Sequence, residues 1–101
     1  MDKLVNRIIP IIAQEIKPEK IILFGSRARG DAGKDSDVDL LVVYDGDISK
    51  RDVKLKIHRL FSPRDFSMDI FVLNSKEFER QKKIVSTVGR VAELEGVVCY
   101  G

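Results

Sequence analysis

The chain has one cysteine, Cys99, one histidine, His58, and no uninterrupted apolar run long enough to cross a bilayer. A lone cysteine cannot form an internal disulfide, so a reducing compartment, the cytoplasm, is expected. The N-terminal segment MDKLVNRIIPIIAQEIK is broken by Asn6, Arg7 and Pro10, which argues against a signal peptide and a membrane span. His58 lies between charged neighbours on a predicted amphipathic helix, and no serine, histidine and aspartate set points to hydrolysis. Low-complexity stretches, internal repeats and long linkers are also missing. A net charge of +2 gives no electrostatic reason to expect nucleic acid. The basic run from Lys50 to Arg64 lacks interleaved aromatics, reads first as a solvated helix face, and would equally suit an acidic partner or RNA. What remains is 101 residues, 44% hydrophobic and 34% charged, which fits one domain over residues 1–101. So short a chain leaves no material for a second, substrate-covering domain.

The apolar spacing predicts an α/β domain. Leu4, Ile8, Ile11, Ile12 and Ile16 form one helical stripe from about Asp2 to Lys17, with a kink or late start expected at Pro10. Lys20 to Phe24 reads as a strand, and Gly25 to Ser36 as a small polar loop with room for one helical turn. Val38 to Tyr44 reads as an internal strand covered on both faces. Ser49 caps a helix that ends before Pro63, and Phe66 to Leu73 is a third strand. A last helical pattern starts after Asn74, weakens at Gly89 and ends near Gly96, where a C-cap is expected. Val97 to Tyr100 reads as a short strand or a packed tail, and Cys99 as packing. The whole is a mixed sheet of three to four strands packed with helices.

Two segments carry chemistry. Gly25-Ser26-Arg27-Ala28-Arg29-Gly30 follows a strand directly, and its glycines have the spacing of a Walker A loop. Asp31 and Ala32 stand where that loop needs lysine and serine or threonine, and no G-x-G is present for a dinucleotide fold. A glycine turn with a hydroxyl at its tip remains, which suits an anion. In Ser36-Asp37-Val38-Asp39-Leu40, strand alternation puts both carboxylates on one face, roughly 6–7 Å apart. Two acids there repel each other and resist desolvation, and a cation relieves both penalties. Carboxylate oxygens suit Mg²⁺ or Mn²⁺. Asp69 is a lone acid in an apolar strand; beside the Asp37/Asp39 strand it would complete a site for two metal ions about 4 Å apart.

Together, the two segments resemble the G-S-x-A-x-G…S-D-x-D-L signature of the polymerase-beta-like nucleotidyltransferase superfamily. Size and element order resemble its minimal nucleotidyltransferase branch, many members of which are antitoxin partners of HEPN-domain toxins. The resemblance implies a small nucleotidyltransferase fold in which Gly25 and Ser26 hold the β- and γ-phosphates of a nucleoside triphosphate. Arg29 and Ser36, within the same signature, are further nucleotide-binding candidates. Asp37, Asp39 and Asp69 would be the catalytic residues and the ligands of two Mg²⁺ ions. Asp65, just before the third strand, is the competitor for the Asp69 role; alternation and apolar flanks favour Asp69. The implied activity is protein adenylylation, AMP passing from ATP to a hydroxyl on a HEPN-type toxin. The acceptor would be brought by that partner or by a second copy of this chain. Alternatives are an antitoxin that acts by occlusion and an aminoglycoside-type small-molecule enzyme.

Overall fold

The structure, a computed structural model, describes residues 2–33 and 35–101. Four strands, β1 (Lys20–Phe24), β2 (Val38–Val43), β3 (Met68–Leu73) and β4 (Val97–Tyr100), form one sheet in the order β3-β2-β1-β4. β1 pairs antiparallel with both β2 and β4, and β2 pairs parallel with β3. A parallel pair needs a crossover, which helix α3 (Lys50–Leu60) supplies. The other helices are α1 (Lys3–Ile16), α2 (Ser26–Arg29), α4 (Ser75–Gln81) and α5 (Val88–Glu95).

Strand alternation divides the apolar residues between two faces. Ile21, Leu23, Leu40, Val42 and Ile70 pack against Val5, Ile8 and Ile12 of α1 and Val53 and Ile57 of α3. On the opposite face, Ile22, Phe24, Leu41 and Val43 pack with Leu73 and with Phe78 of α4 and Ala92 of α5. β2 is covered on both sides, as its apolar run predicts. The second face is left open near the start of β3, where Asp69 and Phe71 are exposed.

Local sequence explains most boundaries. Asp2 caps α1 by accepting the N–H groups of Leu4 and Val5 at 2.8 and 3.3 Å. Ser49 caps α3 through the N–H of Asp52, and Asn74 with Glu77 forms a capping box at α4. Several expectations need correction. α1 starts at Lys3, so there is no late start at Pro10; the helix runs through that residue, which faces solvent while the buried stripe continues on either side of it. Within that stripe Val5 and Ile9 are buried, whereas Ile11 is exposed. β3 starts at Met68, two residues later than expected, where the Phe66 carbonyl is taken by Arg64 Nε at 3.0 Å.

The last helical pattern is two helices. Ser86 adopts a left-handed conformation (φ 71°), and Thr87 starts α5 by accepting the N–H of Arg90. Gly96 does sit at the C-cap, but in an extended conformation (ψ 158°) and not a left-handed one. It leads directly into β4, so residues 97–100 are the edge strand beside β1. A side chain at Gly96 would run into the Ala92 carbonyl and the Ile22 methyl.

Candidate active site

The centre of the site is a register. Asp39 on β2 is the partner of Phe24 on β1 and of Asp69 on β3, so the two acids stand side by side on the half-open face. Asp39 is half-buried and hydrogen-bonded to Asp69. Burial pushes its carboxyl above the ordinary aspartate range, and the charge of Asp69, their shared hydrogen bond and the charge of Asp37 push further the same way. Arg29 acts in the opposite direction and is outweighed. Asp37 precedes the strand and is exposed. Asp65 lies in the loop before β3, exposed, and has no strand partner.

The glycine turn lies at the end of β1, one strand over. Gly25 has φ 77° and ψ −160°, a conformation that disfavours any side chain. It turns the chain into the four-residue helix α2, which Gly30 ends at φ 82°. The Gly25 carbonyl accepts the N–H groups of Ala28 and Arg29, each at 3.1 Å. The first two N–H groups of the turn, those of Ser26 and Arg27, precede any helical acceptor and are the ones left to an anion. Ser26 itself is half-buried.

Between turn and carboxylates sits a residue that motif reading overlooked. Arg27 donates Nε and Nη2 to the Ser36 carbonyl at 3.0 and 2.8 Å, and Nη1 to the Asp2 carboxylate. Its side chain is only 8% exposed. One guanidinium thus ties the start of α1 to the residue preceding Asp37. The only sequence signal was an arginine inside the glycine motif. Ser36 is half-buried, its Oγ accepting the Gly33 N–H at 2.8 Å in an exposed local turn. Arg29 is exposed and paired with Asp31 at 3.3 Å and Glu95 at 3.1 Å.

Among the described residues, no group of three or more His, Cys, Asp or Glu side chains is gathered into a metal site. The two adjoining carboxylates, with Asp37 acting on them through its charge, nevertheless fit a hard divalent cation. A half-buried carboxylate opposed by two like charges is relieved by positive charge. Mg²⁺ typically takes one or two protein carboxylates and completes its shell with phosphate and water. No helix among the described residues is long and apolar enough to cross a membrane.

Comparison with known proteins gives the family and the fold. The chain is similar over 95% of its length to the crystal structure of a Sulfolobus solfataricus protein assigned as a nucleotidyltransferase, with 28% identity, a TM-score of 0.63 and 76% of that chain covered. It shares its fold with a toxin–antitoxin complex containing AMP-PNP (20% identity, TM-score 0.58, 94% of this chain and 72% of that one). It also shares its fold with the Y104A mutant of the toxin–antitoxin MntA-HpeT (24% identity, TM-score 0.61, 95% and 71%). No curated protein matches it significantly. The nucleotidyltransferase domain family matches residues 5–94, nearly the whole chain. The chain belongs to the nucleotidyltransferase domain family.

Proposed function

We propose that this nucleotidyltransferase moves AMP from ATP to a hydroxyl on a partner protein, acting as one minimal domain, in the cytoplasm, as the antitoxin of a HEPN-type toxin. The observation that carries the reading is the register of Asp39 with Asp69, one strand from the Gly25–Ser26 turn. Donor phosphates at the turn and an acceptor at the β3 edge would meet over Asp39. The AMP-PNP in one structural relative supports an adenine nucleotide, and two toxin–antitoxin relatives support a toxin partner.

In this reading Gly25 and Ser26 bind the β- and γ-phosphates, with Arg29 and Ser36 at the margin of the nucleotide site. Arg29 would have to leave Asp31 or Glu95 to reach phosphate, an exchange between exposed partners that costs little. Asp37, Asp39 and Asp69 would hold Mg²⁺, two ions by the family resemblance, which when bound neutralises the charge developing on the phosphates. The acceptor oxygen bonds to the α-phosphorus, the bond from that phosphorus to the bridging oxygen breaks, and pyrophosphate leaves with the electron pair. The hydroxyl proton passes to Asp69, the acid nearest the open edge.

The test is calorimetric titration of ATP in Mg²⁺ with wild type and Asp37→Asn/Asp39→Asn. Binding by wild type that disappears in the variant is expected; equal binding by both would overturn the assignment. A second reading, neutralisation by occlusion, is favoured by Val85 and Leu94, 78% and 68% exposed. Full neutralisation of a partner toxin by the double variant would establish it.

A further inference from the structure

The loop from Phe61 to Ser67 is bordered by three depressions, all of them lined by Arg64 and Phe66. One, about 630 Å³, reaches Asp37 and Asp69. The next, about 340 Å³, extends towards Arg27 and Ser36. The third, about 490 Å³, runs the other way to Phe61 on the loop and to Arg7 and Ile11 on α1. Arg64 and Phe66 thus stand between the carboxylates and an apolar floor shared by α1 and the loop, in a surface we call the groove.

The floor consists of Ile11, Phe61 and Phe66, the two rings meeting edge to face at 6.2 Å. Two guanidiniums and one carboxylate, Asp65, frame it, a net positive charge of one. Arg7 lies over the Phe66 ring at 6.0 Å, and Arg64 reaches only the Phe66 carbonyl. Among the described residues neither has a carboxylate partner, although ion pairs hold Arg27, Arg29, Lys50 and Lys82 elsewhere. Apolar floor and unpaired cations fit carboxylates next to apolar side chains. A polyphosphate chain fits worse, because it has no apolar group to lay on the floor, and Asp35, Asp37 and Asp69 border the far end of the groove.

We infer that this groove docks the acceptor protein: an extended segment lays an apolar side chain on Phe61 and Phe66, sets acidic side chains against Arg7 and Arg64, and so brings its hydroxyl to Asp69. The inference rests on the transfer reading for its direction, since it places the acceptor at the β3 edge, opposite the glycine turn. Arg64 is a positioning residue, as it borders both the carboxylate end and the apolar end.

The probes are two fluorescein-labelled ten-residue peptides, each with one tyrosine and two leucines, one carrying three glutamates and the other three lysines. Anisotropy should show at least ten-fold tighter binding of the acidic peptide to wild type. Arg7→Glu and Arg64→Glu, both at exposed positions, should reverse the preference, and Mg²⁺-ATP affinity should stay within two-fold in Arg7→Glu, which lies away from the carboxylates. Equal binding of the two peptides, no binding of the acidic one, or its displacement by a ten-nucleotide RNA would overturn the docking site. Absence of the peptide preference in wild type with its ATP binding intact condemns the groove alone. Absence of ATP binding in wild type with the peptide preference intact condemns the transfer reading alone.

Discussion

A methyl group added at Gly25 would overlap Asp39 Oδ2 and stand 3.2 Å from its Cγ. The glycine turn and the central carboxylate are therefore in contact, and the missing side chain of one is the room occupied by the other. Gly25→Ala is expected to combine this overlap with the strain of φ 77°, lowering stability by about 1–3 kcal/mol and abolishing Mg²⁺-dependent ATP binding. Gly30→Ala is the control. Its φ of 82° is similarly strained, but nothing lies within 4 Å of the added methyl. Chemical denaturation should show a loss for both variants, and calorimetry should show ATP binding retained only in Gly30→Ala.

Asp39 and Asp69 are held together against their mutual repulsion. The carboxyl of Asp39 is raised, first by burial and then by Asp69 and Asp37, so its protonated form favours the fold. That contribution is fully present below the ordinary aspartate value, about 3.9, and is lost as pH rises through the higher folded value. Asp39→Asn should accordingly leave the thermal midpoint at pH 7.5 unchanged or higher, while transfer falls by at least about 100-fold. Mg²⁺ should raise the midpoint of wild type and not of the variant, and Mg²⁺ affinity should grow as pH rises, because the cation displaces the proton. A drop in the variant's midpoint would show that Asp39 serves the fold and not the site.

Much of this was legible in the sequence because it is local. The apolar run located β2, glycine marked the turn, and Ser49 and Asn74 announced the helices they cap; Asp37, expected to share a strand face with Asp39, precedes β2. What escaped depends on contacts between distant segments. The motif gives Arg27 no role of its own, yet it joins Asp2 to the Ser36 carbonyl, two partners far from it in sequence. The break between α4 and α5 rests on Ser86, whose left-handed backbone no propensity predicts, and on the Thr87 hydroxyl donating to the Ile84 carbonyl at 2.8 Å. The groove beside Asp69 joins residues from α1, the Phe61–Ser67 loop and β3, which are adjacent only in the folded chain.

Arg27 bears on acid stability. Burial alone would raise the carboxyl of Asp2, but the Arg27 hydrogen bond, the N–H groups of Val5 and Leu4 and the Arg27 charge together bring it below the ordinary range. A depressed carboxylate contributes stability above its unfolded value, about 3.9, and loses it as pH falls through the folded one. Asp2→Asn should flatten the fall in thermal midpoint below pH 4 relative to wild type. Arg27→Met, which leaves the Ser36 carbonyl and Asp2 without their partner, should cost roughly 2–3 kcal/mol at pH 7 in urea denaturation. An effect below about 0.5 kcal/mol would mean the strut is dispensable.

Gly89 sets two physical rules against each other. Within a helix, alanine is better than glycine by roughly 1 kcal/mol, so Gly89→Ala in α5 should stabilise on propensity alone. The added methyl, however, would stand 2.5 Å from Gln81 Cβ and 3.0 Å from Gln81 Oε1, at the end of α4. Gln81 Oε1 also accepts the Gly89 N–H at 2.9 Å, so the side chain cannot swing away without breaking that bond. Close packing should win, with Gly89→Ala destabilising by about 1–3 kcal/mol in urea denaturation. Gln81→Gly removes the obstructing Cβ, at its own cost to α4. In the double variant the alanine regains its helical advantage, so the cycle should show a favourable coupling of at least about 1 kcal/mol. Additive effects would mean that α4 and α5 shift apart freely, and that Gly89 is not what sets their approach.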